Sequence, residues 1–297
     1  MRLLVTGSQG FIGNNLNIRL NELSEFKVER FDREDDLALL PEKILHVDAI
    51  IHLAGENRPK DEADFEKVNA SLTESLCECI RDSGKKIPLL FTSSIQAELD
   101  TPYGKSKRAA EKFIEKLAVE TNNPVAIYRL PNVFGKWCKP NYNSVVATFC
   151  HNVANNLPIQ INDESTTLRL VYVDDLVSAF LNMLDSLIEG IQWPKVTPEY
   201  STTLGALASQ IKNFKDCRNT LVVEKVGTGL VRALYASYVS YFPMNQFVYD
   251  IPEYSDERGV FVEMLKTSDS GQFSYFTAHP GITRGGHYHH TKSEKFL

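Results

Sequence analysis

Hydrophobic residues come in short runs along the first 130 positions, and helical patterns separate the runs. The runs are RLLVT (2–6), KVERF (27–31), DAIIHLA (48–54), PLLFTSS (88–94) and VAIYRL (125–130). Each is rich in Val, Ile, Leu or Phe and short enough for a strand, so each predicts β structure. Between them, NNLNIRLNEL and EADFEKVNASLTESLCECIRDSG carry apolar residues at three- and four-residue spacing, the period of a helix. Strand and helix alternating in this order predict an α/β fold: a Rossmann-like, doubly wound parallel sheet with helices on both faces. Ligands in such folds bind at the carboxyl ends of the strands.

Beyond residue 130 the pattern loosens. PNVFGKWCKPNYNSV reads as a loop and TLGALASQIKNF as a short helix, part of a small substrate-binding subdomain. From about Asp250 the texture changes again. DERGVFVEMLKT, GQFSYFTAHP and the tail after them predict short antiparallel strands between Gly and Pro turns. Two regions are expected, 1–245 and 246–297, without repeats or a low-complexity linker.

Composition narrows the function classes. Of 297 residues, 43% are apolar and 24% charged, an ordinary globular balance. The net charge of -6 offers no basic surface for nucleic acid, so no such partner is expected. No apolar run approaches the roughly 18 residues that span a bilayer, and the apolar stretch of MRLLVTG is too short for a signal core. No membrane association is expected. The 5 cysteines form no CxxC pair, which predicts reduced thiols and a cytoplasmic protein.

Chemistry begins at TGSQGFIG, where Gly7, Gly10 and Gly13 stand three apart with Phe11 and Ile12 between them. Directly after a strand and before a helix, such glycines let the backbone approach a pyrophosphate, and the helix N-terminus presents unpaired N–H groups to it. Asp32 closes the second strand, where a carboxylate would bind the adenosine ribose hydroxyls of NAD. Arg33 follows and would pair with a 2′-phosphate. The two residues pull in opposite directions. NADP(H) is the expected cofactor, because Arg33 can also stack on adenine.

TPYGKSKRAAEKFIEKLA predicts a helix from about Pro102, with Tyr103 and Lys107 one turn apart on one face. An ammonium beside a phenol favours the phenolate and brings the group into a range where it exchanges a proton. Tyr288 and Lys292 repeat the spacing without a helix, so spacing alone decides nothing. Ser93–Ser94, ending the fourth strand nine to ten residues upstream, give Tyr103 a hydroxyl partner for a substrate carbonyl.

With TG-x-x-G-F-I-G, Ser94 and Tyr103-x-x-x-Lys107 in order, residues 1–245 resemble the extended short-chain dehydrogenase/reductase family. The resemblance implies Ser94 as carbonyl orienter, Tyr103 as acid/base, and Lys107 as the group that tunes Tyr103 and binds the nicotinamide ribose. It places Leu53, Ala54 and Gly55 of HLAG beneath the cofactor, and Asn69 at the start of the fourth helix. RLPNVFG (129–135) and TLRLVYVDDLV (167–177) resemble its nucleotide-sugar segments, which implies Asn132 and Arg169 as substrate contacts. For Arg169 a surface ion pair stays open.

The tail GITRGGHYHHTKSEKFL carries His287, His289 and Glu294 after Gly281, and this spacing resembles the first motif of the cupin family. On a strand, His287 and His289 would face one way and His290 the other. Two imidazoles and a carboxylate suit a divalent metal such as zinc. DERGVFVE (256–263) is similar to the opening strand of sugar-nucleotide epimerase cupins. The family's second histidine motif is missing, so the expected cupin is incomplete, from shortening or trimming, and metal binding is expected to be weak.

The pairing of these two parts, with FGKWCKPNYNSVVATFC between them, resembles the bifunctional enzymes that make UDP-N-acetyl-L-fucosamine for bacterial capsular polysaccharide. The resemblance implies reduction by NADPH of the C4 ketone of a UDP-4-keto-6-deoxy-N-acetylhexosamine, after cupin-catalysed C3 epimerisation, in a homodimer. Two alternatives stay open. One is a nucleotide-sugar 4-epimerase or 4,6-dehydratase holding NAD tightly; the other is a non-catalytic dinucleotide sensor.

Overall fold

The computed structural model describes residues 1–59, 61, 63–286, 288–291 and 293–295. The first half alternates as its hydrophobic pattern predicts: β1 (Arg2–Thr6), α1 (Phe11–Asn21), β2 (Lys27–Phe31), α2 (Leu40–Leu45), β3 (Ala49–His52), α3 (Ala63–Phe65), α4 (Leu72–Asp82), β4 (Leu89–Ser94), α5 (Pro102–Thr121) and β5 (Pro124–Leu130). There follow β6 (Asn132–Phe134), α6 (Val145–Ala154), β7 (Thr167–Tyr172), α7 (Val173–Leu184), β8 (Gly190–Gln192), β9 (Tyr200–Thr203), α8 (Leu204–Thr220) and α9 (Gly229–Val239). The chain then forms β10 (Glu253–Asp256), β11 (Gly259–Thr267) and β12 (Gly271–Phe276).

The main sheet has the order β2-β1-β3-β4-β5-β8, with every pairing parallel. Alternate strand residues feed two cores. Leu4, Ile50, Phe91 and Ile127 meet α4 and α5 through Leu76, Ile80, Ala110 and Ile114. Leu3, Val5, Ile51 and Tyr128 meet α1 and α7 through Leu16, Leu20, Leu176 and Phe180. All six residues of β4 are buried, as expected of a strand covered on both faces. Because β1 pairs with β2 on one side and β3 on the other, the strand order reverses at β1. The crevice above that point is where open α/β sheets bind ligands.

Two local expectations change, and a third falls at the edge of the described residues. The segment read as a loop after residue 130 contains β6, which pairs with β7 in a second small sheet completed by β9. The helix read over TLGALASQIKNF runs on to Thr220, because Thr203 caps its start and Ile211 and Phe214 remain buried. The strand expected at His287–His289 falls partly outside the described residues; among the described residues no strand follows Phe276. Gly281, Gly285 and Gly286 all take positive φ there.

The C-terminal strands β10, β11 and β12 form a separate antiparallel sheet. It joins the preceding fold through backbone: Val223 N–H donates to the Lys266 carbonyl at 2.8 Å, and Lys266 N–H to the Leu221 carbonyl at 2.8 Å. Among the described residues, no helix is long and apolar enough to cross a membrane.

Candidate active site

The turn after β1 is tight because two positions have no room for a side chain. Gly7 sits at φ +67°, and a Cβ there would meet the Ala54 backbone at 2.7 Å. A Cβ on Gly13 would lie 2.4 Å from the Gly7 carbonyl oxygen. This pair brings the start of α1 down onto the turn and presses the turn against the Leu53–Gly55 loop. Gly10 is the N-cap of α1. The first N–H groups of that helix therefore open toward the cleft. Such a backbone cradle fits the pyrophosphate of a dinucleotide.

At the end of β2, the Asp32 carboxylate accepts from Ser8 Oγ at 2.6 Å and from Gln9 N–H at 3.1 Å. Arg33 turns the other way and donates to Glu56 at 2.8 Å. Glu56 is a junction that sequence reasoning did not find. Besides Arg33, its carboxylate accepts from the N–H groups of Asn57 and Arg58 and from the Tyr142 hydroxyl at 3.1 Å. Burial pushes this carboxyl up, but the hydrogen bonds from Arg58, Arg33, Tyr142 and Asn57 outweigh it and hold the group below its ordinary range. Its main chain is pinned by Asn69, which accepts from Glu56 N–H at 2.8 Å and donates to the Glu56 carbonyl at 2.9 Å. Asn69 stands not on α4 itself but in a π-helical turn, Glu66–Ser71, that leads into it.

A cleft of about 560 Å³ opens between the strand ends and the loop after β6. Phe11, Ile12, Leu53, Gly55, Ser94, Tyr103, Lys107 and Asn132 line it, so the structure brings these predicted residues into one space. Gly7, Gly10, Gly13, Asp32, Arg33, Ala54 and Asn69 are not among its lining residues. Trp137, Lys139 and Tyr142 form its outer wall. An exposed tryptophan in a polar loop was the available signal for that wall, and it went unused. Arg169 lies outside the lining and grips Glu199 at 2.5 and 3.1 Å on the surface.

α5 starts where Thr101 accepts from Gly104 N–H at 3.0 Å and Pro102 occupies the first turn. That start sets Tyr103 in the cleft, its ring 5.7 Å from Phe65. Burial raises the Tyr103 phenol, and a hydrogen bond with Ser94 only partly offsets this. The expectation that Lys107 pulls the phenol down is not met in the free chain, where desolvation dominates. A phenol held protonated suits a group that must give up a proton. Lys107 is itself buried and donates to the Thr92 carbonyl at 3.0 Å. Desolvation lowers it to about 8, against the opposing pull of Glu111.

In the tail, His287 lies outside the described residues. His289 Nε2 is 3.2 Å from Glu294 Oε1. Among the described residues no three His, Cys, Asp or Glu side chains are grouped to hold a metal.

Residues 3–192 match the NAD dependent epimerase/dehydratase family, and residues 254–297 match the polysaccharide biosynthesis C-terminal domain. The chain is 54% identical over 297 residues to a UDP-2-acetamido-2,6-beta-L-arabino-hexul-4-ose reductase from Pseudomonas aeruginosa, covering 100% of this chain and 80% of that protein. Among solved structures it is similar to the capsular polysaccharide assembling protein CapF from Staphylococcus aureus, with TM-score 0.88, 39% identity, and coverage of 98% of this chain and 79% of that one. MoeE5 in complex with UDP-glucose and NAD shares the fold, with TM-score 0.68 and 18% identity over 81% of this chain and 98% of that one.

Proposed function

The chain belongs to the NAD dependent epimerase/dehydratase family, and on that premise we propose that it reduces the C4 ketone of a UDP-4-keto-6-deoxy-N-acetylhexosamine with NADPH, a step toward UDP-N-acetyl-L-fucosamine for capsular polysaccharide. The observation that carries the reading is the meeting of Ser94, Tyr103 and Lys107 in one cleft beside the glycine turn. The 54% identity to a reductase of a UDP-hexul-4-ose supports the substrate class. Arg33, a cation next to Asp32 at the end of β2, supports NADPH over NADH.

When bound, the cofactor supplies the hydride that C4 receives. The rest is the chain's own work. Ser94 donates to the ketone oxygen and holds it against Tyr103, whose buried phenol stays protonated until that oxygen takes its proton. Lys107, anchored on the Thr92 carbonyl, holds a positive charge beside the developing phenolate and presents further N–H bonds to a ribose. Epimerisation at C3 must precede this step, because the ketone is what acidifies the neighbouring C–H.

A second reading, internal oxidation and reduction on a retained NAD, draws on Arg33 being already paired with Glu56. One experiment separates them. Purified protein is dialysed, then incubated with NADPH and each UDP-4-keto-6-deoxy-N-acetylhexosamine isomer while the nicotinamide band is followed. Stoichiometric loss of the band with one isomer is expected. NAD surviving dialysis, with no oxidation of added NADPH, would favour the second reading.

A further inference from the structure

One face of α5 turns toward the sheet, and along it Gly104, Ala110, Ile114 and Ala118 are buried as a core-facing row should be. Two charged residues interrupt that row, Lys107 and Glu111. Lys107 belongs to the reacting groups; Glu111 has no role in the reaction as described. Its side chain is wholly buried. A carboxylate in that position must be fully partnered, since an apolar residue of similar size would serve the core as well or better.

Its partners come from three elements. Ser93 Oγ donates to Oε1 at 2.6 Å. Arg129 donates through Nε at 2.9 Å and through a terminal nitrogen at 2.7 Å, a two-pronged grip. Arg108 adds a bond at 2.6 Å from the helix itself. Ser93 and Arg129 are neighbours in register on β4 and β5. Thus one carboxylate clamps α5 to the strand ends that carry Ser94 and Leu130 into the cleft. Arg129 extends the clamp to Glu98 at 2.6 Å, on the turn after Ser94, and stacks 4.8 Å from Trp193.

We infer that Glu111 is a positioning residue of this active site: its clamped carboxylate keeps the helix bearing Tyr103 and Lys107 in register with the strand end bearing Ser94, and fixes a negative charge one turn behind the Lys107 ammonium. The inference rests on the reading of those three residues as the reacting groups. Around Lys107 the charged and titratable neighbours are Glu111 and Tyr103 on its own helix and His52 on β3, which burial keeps neutral. The Thr92 carbonyl and the Phe91 ring face it from β4. Around Glu111 stand Arg108 and Arg129, with Glu115 and Glu98 behind them. Glu111 supports the charged form of Lys107 against desolvation, so its neutralisation lowers the pH at which Lys107 loses its proton.

The test labels the lysines with ¹³C and ¹⁵N and identifies the Lys107 signal by its loss in Lys107→Met. In Glu111→Gln, Lys107 is expected to titrate about half a pH unit or more below the wild-type position. In Glu111→Asp, which keeps the charge but shortens its reach, Lys107 titrates as in the wild type. Its kcat for ketone reduction falls by about tenfold or more, with KM nearly unchanged. An unmoved Lys107 titration in folded Glu111→Gln, or wild-type kcat in Glu111→Asp, overturns the inference. If Glu111→Gln does not fold, the Asp variant decides alone. The titration needs no turnover, so an inactive wild-type enzyme would overturn the reductase reading and still leave Glu111 to be judged.

Discussion

β4 and β10 are both short strands, yet every residue of β4 is buried and every residue of β10 is exposed. The contrast runs through the two regions they represent. In the parallel sheet, both faces are covered by helices, and the charged and polar groups around the cleft are paired with defined partners. Glu111, Asn69, Lys107 and His52 are all of this kind. In the antiparallel sheet only Gly259 and Val262 are buried, while Phe273, Tyr275 and Phe276 stay largely exposed. Pre-organised chemistry needs the first environment, because a low local dielectric strengthens each charge and hydrogen bond that survives burial. The proposed reaction accordingly lies wholly in the region whose interior is closed.

Aromatic truncation gives the sharpest way to break this comparison. Phe91→Ala removes a side chain buried between β4 and α5, and is expected to cost about 3–5 kcal/mol. Phe273→Ala, on the exposed sheet, is expected to change stability by no more than about 0.5 kcal/mol. Denaturant unfolding of both variants measures the difference. Similar losses from the two would mean that the C-terminal sheet is a core in its own right.

A smaller effect comes from His52. Its ring is bonded to Thr6 at 2.6 Å and Thr73 at 2.9 Å, and desolvation, with a lesser push from Lys107, lowers it to about 3 from an ordinary 6.5. The sign follows from which state binds the proton. Between pH 6.5 and 3 the unfolded chain protonates His52 and the folded chain does not, so this group's contribution is complete above 6.5 and is lost as pH falls. Its slope reaches about 1.4 kcal/mol per pH unit. Thermal melts from pH 7 to 4 should show a shallower fall for His52→Asn than for the wild type. Equal slopes would place the acid sensitivity elsewhere.

The smallest expected effect is none. A chelator should leave the rate of ketone reduction within about twofold, because no step at Ser94, Tyr103 or Lys107 needs a metal. A large loss would tie the tail to the reaction.

Much of the parallel region was legible in advance. Strands β1 to β5 fall on the five runs within a residue or two; burial on both faces leaves β1, β3, β4 and β5 a nearly unbroken hydrophobic signature, while the edge strand β2 is mostly exposed. Tyr103, Lys107 and Ser94 could be found because one helix turn and one strand end fix their spacing. Glu56, Tyr142 and the Glu111–Arg129 clamp could not, because they meet across 86 residues in one case and 18 in the other. Periodicity carries no information on such contacts, although Glu111 four residues after Lys107 was a hint. The strand read into the tail from its alternation falls partly on residues outside those described, and Gly281, Gly285 and Gly286 before it take positive φ.

The central claim is that Tyr103 gives the proton while C4 is reduced. Its most direct test is the rate of NADPH oxidation by Tyr103→Phe with the accepted UDP-4-keto sugar, in a variant shown by melting to be folded. The rate is predicted to fall by about 10²- to 10⁴-fold. A variant as fast as the wild type would contradict the account.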